Sequence, residues 1–426
     1  MKTAFEIVVV GGGPAGIAAA TCAAESGKRV AIVDDNFSVG GQIWRGTDRS
    51  SASARDWKAR LTAAKVELLH GARVFDQPEP GTLRAEQNTG AVDIGFQKLI
   101  LATGARERFL PFPGWTLPNV VGAGGLQALV KSGLSVEGKR IVIAGSGPLL
   151  VAVAAYLRKH GATIAAVCEQ ASLSRLLPFA SALISDKSKL WQTLQYSSRL
   201  IGTPFHTNCW PVSAQGKNKV ESVTLRRGAR TWTIECDYLA CGFHLVPNTE
   251  LAEFLNCRIE HGQVTVDEFQ ATTASAIYCA GESTGIGGVE LSLIEGQIAG
   301  YACAEEFDRA CSIFSQRRKL RRFAQKLENA FALQPQLRQL PQNTTIVCRC
   351  EDIAYQQLVP YASWRAAKLH TRCGMGPCQG RICGAATEFL FDWNAHSTRP
   401  PVFPARVSDL IHLPQTESVI TPQEKL

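Results

Sequence analysis

The chain has 426 residues, a net charge of +8, and 45% hydrophobic against 19% charged residues. This excludes a disordered polymer and leaves enough length for two or three sizeable cores. The charge is not gathered into a long basic run, which argues against a nucleic-acid ligand while remaining compatible with an acidic partner or an anionic membrane surface.

The N-terminus leads straight into an apolar strand with no cleavable signal, and the longest apolar stretch, 141–157, is broken by Gly145-Ser146-Gly147-Pro148. It reads as strand, turn and helix instead of a membrane span. The expected location is cytoplasmic, with peripheral attachment to the inner membrane as an additional option. Of the fourteen cysteines, nine are scattered singly between Cys22 and Cys311 and read as buried reduced thiols. The other five crowd between Cys348 and Cys383.

Ile7-Val8-Val9-Val10 predicts a strand buried on both faces, followed by Gly11-Gly12-Gly13-Pro14-Ala15-Gly16 at G-x-G-x-x-G spacing. Gly11 lets the chain turn out of the strand. Gly13 lets a pyrophosphate approach the backbone, and Gly16 lets the next helix pack close to the sheet. The helix over 17–25 aims its free N–H groups at the phosphates, with Pro14 and Ala15 at its entry. A second apolar run, 30–33, ends in Asp34-Asp35 about 20 residues on, where an acidic side chain binds a ribose hydroxyl. Asp34 fits best and Asp35 is the alternative.

Gly40-Gly41-Gln42 follows, with Gly41 and Gln42 as candidate cofactor contacts, and then strands around 66–69 and 73–75. Backbone groups near Val74 are candidates for an adenine edge. The next apolar strand, 98–101, runs into Ala102-Thr103-Gly104.

These three features, with a second glycine motif after them, resemble the two-dinucleotide-domain flavoprotein oxidoreductases over residues 1–323. The resemblance implies a glutathione-reductase-like α/β fold: two Rossmann-like domains, the second inserted in the first, with FAD in the first. The expected boundaries are 1–110 and 246–330 for the FAD domain and 111–245 for the insertion.

In the second motif, Gly145-Ser146-Gly147-Pro148-Leu149-Leu150, the third glycine is replaced by Leu150, and the paired strand over 164–167 ends at Cys168-Glu169. A leucine there narrows the crevice for a dinucleotide. The expectation is a domain that keeps the fold and has lost or changed its NAD(P). The long segment 171–205 is expected to be helical, with strands around 220–226 and 231–236 and a crossover at 241–248.

The resemblance then implies a return to the FAD domain at 276–282, with Gly281 and Glu282 at the flavin. Glu282, usually aspartate in the family, would hold the ribityl chain, and the helix from about Val289 would point its N-terminus at the pyrimidine edge of the ring. Glu290 and Glu295 are expected to face solvent or a partner. No close cysteine pair follows either glycine motif, so thiol chemistry is not expected. The histidines are dispersed, with His244 worth watching for its place in the crossover. No general base is grouped near the flavin motifs, so no catalytic residue is assigned.

A charged helix over 308–333 carries Arg317-Arg318-Lys319 and Arg321-Arg322, read as a solvated face. Past a linker at 340–343, Cys348 and Cys350 form C-x-C, and Cys378 and Cys383 form C-x4-C in a glycine-rich loop. Four soft thiolates in two close pairs suit tetrahedral zinc or an iron–sulfur cluster. The glycine-rich loop favours the cluster, since backbone N–H groups can bond its sulfides.

This stretch resembles the bacterioferritin-associated-ferredoxin type of [2Fe–2S] domain, small and mostly helical. The resemblance implies Cys348, Cys350, Cys378 and Cys383 as ligands in a unit covering 341–426 with its tail. Cys373 falls outside the pattern and is read as a spectator.

Across its whole length the chain is similar to the alpha subunits of heteromeric bacterial amine dehydrogenases: D-hydroxyproline dehydrogenase, opine oxidases, hydrogen cyanide synthase and dye-linked L-proline dehydrogenase. This implies a catalytic beta subunit with its own FAD that oxidises the CH–NH group of an amino or imino acid. Further implied options are a small third subunit, a respiratory-chain acceptor and an FMN shared with a partner subunit. The alpha chain would pass electrons through flavin and cluster. The rivals are a self-contained NAD(P)H-dependent flavin and iron–sulfur reductase, and a non-redox scaffold.

Overall fold

The computed structural model describes residues 3–44, 52–184, 200–394 and 398–411. The first sheet is formed by β1 (Thr3–Val10), β2 (Val30–Asp34), β3 (Glu67–His70), β4 (Arg73–Glu79), β5 (Thr82–Gln87) and β6 (Gly90–Leu101) in the order β3-β2-β1-β6-β5-β4. β3, β2, β1 and β6 are parallel, whereas β4 and β5 return antiparallel. Val8 and Val9 are wholly buried, the condition under which an unbroken apolar run is stable as a parallel strand. Helix α1 (Pro14–Glu25) connects β1 to β2 and starts on proline, whose missing N–H costs nothing at a helix N-terminus.

The chain leaves this sheet through β7 (Ala105–Glu107) and enters a second one made of β8 (Val120–Gly122), β9 (Arg140–Ser146), β10 (Thr163–Glu169) and β11 (Phe205–Thr207). A three-stranded meander follows, β12 (Cys209–Gln215), β13 (Ser222–Arg227) and β14 (Arg230–Glu235). β15 (Tyr238–Phe243) then completes the parallel order β11-β10-β9-β15-β8, and β16 (Leu245–Pro247) returns antiparallel against β7. Helix α2 (Ala123–Lys131) follows β8, and α3 (Leu149–Lys159) follows β9.

After the short hairpin β17 (Ile259–Glu260) and β18 (Gln263–Val264), strand β19 (Ile277–Cys279) pairs in parallel with the last three residues of β6. β6 is thus shared. Its first half belongs to the antiparallel meander and its end to the parallel layer, which places Ala102 and Ala280 side by side.

Helix α4 (Gly288–Cys303) lies on α1 at very close range. A Cβ on Gly296 would collide with the Ala15 carbonyl oxygen and one on Gly300 with that of Ala19. Small residues at this spacing let the two backbones approach. Helix α5 (Phe314–Phe331) runs back toward the second sheet.

Two expectations are corrected here. Within 171–205 only Leu173–Ile184 is described as helix, 205–207 is strand β11, and 185–199 lies outside the described residues. The basic run is not wholly a solvated face: Arg317 is 3% exposed and donates to the Glu268 carbonyl and Gln270, and Arg321 reaches inward to Glu295 and Gln270. The reason is that buried acceptors of the β19 region sit beneath this helix.

The C-terminal part consists of β20 (Ile346–Cys348), β21 (Ile353–Ala354), α6 (Trp364–Thr371) and α7 (Cys383–Phe391). It is fastened to the rest by Trp115 Nε1–H to the Ile346 carbonyl (2.6 Å) and by Arg106 Nε–H to the Arg381 carbonyl (3.0 Å). The strap over 398–411 returns to the first sheet, where Val402 N–H donates to the Phe75 carbonyl (2.8 Å). Arg381 donates to the Val402 carbonyl (2.8 Å) and stacks on the Phe403 ring at 4.1 Å.

Candidate functional site

The glycine loop after β1 is built as its spacing predicts. Gly11 has φ +108°, and a side chain there would strike the Ala102 carbonyl. A Cβ on Gly16 would collide with the Gly11 carbonyl, so α1 can approach the strand only with glycine at this position. A Cβ on Gly13 meets nothing within 4 Å, leaving an open approach to the backbone where α1 begins.

Asp34 is buried and accepts from Gly12 N–H and from the backbone N–H of Asn36 (2.8 Å). Asp35 instead turns outward to Arg73 Nε at 3.5 Å. Of the two carboxylates, Asp34 therefore sits at the loop. Ala72 N–H donates to the Asp34 carbonyl (3.0 Å), which sets buried Val74 beside the same end of β2.

Gly40 N–H donates to the Gly12 carbonyl (2.7 Å), and the turn Gly41–Trp44 folds over the loop. A Cβ on Gly41 would come to 3.0 Å from Gly13 Cα. The Gln42 side chain is exposed, and its carbonyl accepts from Lys131 on α2.

Ala102-Thr103-Gly104 meets the crossover edge to edge. Asn248 N–H donates to the Gly104 carbonyl (2.9 Å), Asn248 Nδ2–H to the Thr103 carbonyl (2.9 Å), and the Thr103 hydroxyl to the Asn248 carbonyl (2.6 Å). Ser283 Oγ lies 2.9 Å from Thr103 Oγ1, and Arg106 donates to Asn248 Oδ1 (2.7 Å). Sequence reasoning missed Asn248 and Ser283 as parts of the site. The signal available was their adjacency to the crossover proline and to Glu282.

Gly281 has φ +82° and faces Ala15, so Glu282 emerges beside the start of α1. Glu282 Oε1 accepts from Gly288 N–H (2.8 Å) at the N-terminus of α4, while its buried Oε2 has no partner among the described residues. That orphaned oxygen suits a ribityl hydroxyl.

Burial pushes the Glu282 carboxyl up to about 7, against the pull of the Gly288 and Gly287 N–H groups. A carboxyl raised on folding contributes stability below its unfolded range and loses it as pH climbs to about 7. Glu282→Gln is thus expected to flatten the fall in apoprotein stability between pH 5 and 7, by on the order of 2 kcal/mol, in denaturant titrations across that range.

Glu295, expected at the surface, is 1% exposed. It accepts from Gly281 N–H (3.1 Å), Thr284 Oγ1 (2.8 Å) and Arg321 Nε (2.9 Å). The close approach of α4 to α1 turns it inward, and it fixes the turn that presents Glu282. Arg321→Ala, which leaves this carboxylate buried without its cation, is expected to cost about 3 kcal/mol of unfolding free energy, with Arg321→Lys recovering part of it.

In the second sheet, Glu169 accepts from Gly147 N–H (2.8 Å) and Ala171 N–H (2.8 Å), mirroring Asp34, and burial raises its carboxyl to about 7. Leu150 is buried in the helix–sheet core. The residues after Glu169 are covered by the chain itself. Ser146 Oγ donates to the Phe331 carbonyl (2.8 Å), and Gln170 Nε2 donates to Ser146 Oγ (2.9 Å). Gln334 N–H donates to Gln170 Oε1 (3.0 Å), and Phe331 packs edge-on against Phe179. Gln170 and Ala171 are wholly buried, whereas Asp35 and Phe37, which follow Asp34, are exposed.

The Sγ atoms of Cys348, Cys373 and Cys383, all buried, lie within 4.8 Å of one another. Among the described residues this is the group able to hold a metal. Half-buried Cys378 touches Cys383 and exposed Cys350, and the contact with Cys383 draws its thiol down to about 5. Gly374 N–H donates to Cys348 Sγ (3.5 Å). The donor set fits a sulfur-bound metal, with Cys373 inside it instead of apart from it.

His244 adopts φ +74°, and burial lowers its imidazole. Its Nδ1 lies 3.3 Å from the carbonyl oxygen of its neighbour Leu245.

A glycine loop over a parallel sheet, an inserted parallel sheet and a buried acidic anchor at a helix N-terminus define a mixed α/β flavoprotein oxidoreductase. Residues 5–306 match the pyridine nucleotide-disulphide oxidoreductase family, and the chain belongs to it. That family implies FAD binding.

The chain is 30% identical to the hydrogen cyanide synthase subunit HcnB of Pseudomonas aeruginosa, covering 88% of this chain and 90% of the relative. It is 29% identical to an opine oxidase subunit of Agrobacterium tumefaciens, covering 97% and 92%. Among solved structures, L-proline dehydrogenase from P. horikoshii shares the fold with a TM-score of 0.65 at 18% identity, over 96% of this chain and 80% of that one. Both sequence relatives are named as enzyme subunits. No described helix is long and apolar enough to cross a membrane.

Proposed function

We propose that the chain is the electron-transferring subunit of a heteromeric dehydrogenase or oxidase. A partner subunit would oxidise the CH–NH group of an amino or imino acid such as proline, D-hydroxyproline or an opine. FAD at the first glycine loop supplies a centre that accepts electrons in pairs and gives them up singly, and a [2Fe–2S] cluster at the cysteine loop supplies a one-electron exit. Gly13 admits the pyrophosphate to a loop that Gly11 and Gly16 shape, while Asp34 holds the ribose and Glu282 the ribityl chain. Cys348, Cys350, Cys378 and Cys383 hold the cluster.

The reading is supported by the names of the relatives and, above all, by the covering of the second crevice by residues 331–334. A nicotinamide dinucleotide would need that crevice. The test is anaerobic mixing of the purified chain with NADH or NADPH. Unchanged flavin absorbance is the expected result, together with reduction once the amine substrate is added along with the partner subunit. Rapid bleaching by either nucleotide would establish the self-contained reductase instead.

A further inference from the structure

Five thiols serve a site that needs four, and they are not evenly placed. Cys350 and Cys378 form the outer end, one exposed and one half-buried, while Cys348, Cys373 and Cys383 form a buried inner group. A tetrahedral metal with bonds of about 2.3 Å sets two sulfur ligands about 3.8 Å apart. Sulfurs on opposite irons of a dinuclear cluster are further apart, because two irons and two sulfides intervene. Three sulfurs all mutually within 4.8 Å therefore suit one metal position, whereas Cys378 touches Cys383 but falls outside that mutual group and pairs with Cys350 on the outer side. One iron of a [2Fe–2S] cluster takes only two protein thiolates, since the sulfides fill its other places.

The fold builds Cys373 into this position. Arg372 closes α6 in the left-handed conformation (φ +67°), and its guanidinium grips Glu351 at 2.8 Å, tying the end of the helix to the C-x-C turn. Gly374 then lies under the Trp364 ring with φ +82°, where a Cβ would come to 2.5 Å from the indole. Its N–H points at Cys348 Sγ.

We propose that Cys373 is a reserve ligand of the inner iron. When Cys348 or Cys383 is missing, the Cys373 thiol releases its proton to water and forms the iron–sulfur bond in its place. The outer end has no such substitute. This inference rests on the cluster reading above and goes beyond it in assigning the fifth cysteine.

The experiment measures iron, acid-labile sulfide and the electron paramagnetic resonance spectrum after anaerobic reconstitution of the full chain. Cys373→Ala should match wild type. Cys383→Ala should keep wild-type iron and sulfide with a shifted spectrum, the double variant Cys373→Ala/Cys383→Ala should lose both, and Cys378→Ala alone should lose both. A Cys383→Ala protein as empty as the double variant overturns the proposal. If Cys383→Ala is insoluble, Cys348→Ala with and without Cys373 decides it by the same criterion. Wild-type protein without sulfide would instead sink the cluster reading itself.

Discussion

Exchange of Cys378 for serine is expected to give a protein that keeps its flavin and loses its iron. Cys378 stands on the outer rim of the sulfur group, in contact with Cys350 and Cys383, and is the thiol through which both ends of the group meet. A serine oxygen is a harder donor than a thiolate and gives up its proton far less readily, so it binds iron–sulfur centres poorly. The glycine loop, Ala102-Thr103-Gly104 and Gly281-Glu282 lie on β1, β6, β19 and the approach to α4, away from Cys378 in the sequence and on other elements. Visible absorbance of bound FAD should therefore survive. In the enzyme assembled with its partner subunit, substrate-driven reduction of an external dye should fall about 100-fold or more, as for loss of a metal's own ligand. Dye reduction at the wild-type rate would remove the cysteine loop from the electron path.

Gly13→Ala and Gly16→Ala should fail in opposite ways. A methyl group on Gly13 meets no protein atom within 4 Å. The variant should therefore fold with stability within about 1 kcal/mol of wild type, while its flavin content falls to a tenth or less, because the methyl occupies the approach of the pyrophosphate. A methyl on Gly16 runs into the Gly11 carbonyl, and α1 cannot retreat because Gly296 and Gly300 hold α4 against its other side. Overpacking at a junction fixed from both directions is expected to cost about 3 kcal/mol or more. Thermal melts of the two apoproteins beside their flavin spectra separate a lost ligand from a lost fold.

The parts of this site that repeat a local pattern were legible in the chain. Gly11, Gly13 and Gly16 are dictated by one turn, Asp34 by the length of a helix and a strand, and Ala102-Thr103-Gly104 by an apolar run that stops at small residues. The cysteine loop announced itself by spacing.

What stayed hidden depends on long-range contacts. Gln170 and Gln334 are ordinary polar residues until tertiary packing brings them together across 164 positions. Glu295 sits on a helix that is small-faced toward α1, and the resulting tightness, which no periodicity displays, turns its carboxylate inward. Arg317 and Arg321 look like a surface run because charge is read residue by residue, whereas their acceptors come from the segment before β19 and from α4. Cys373 fell outside the familiar spacing, and only the bend at Arg372 and Gly374 carries it to Cys348.

The strap over 398–411 gives the molecule a mechanical unity that its linear order conceals. Through Val402 it is stitched to Phe75 on β4 of the first sheet, and through Arg381 to the cysteine loop, so one late ribbon braces the glycine-loop sheet and the sulfur group alike. The spacing between the glycine loop and the sulfur group is held by this outer tie together with the Trp115 and Arg106 contacts beneath it.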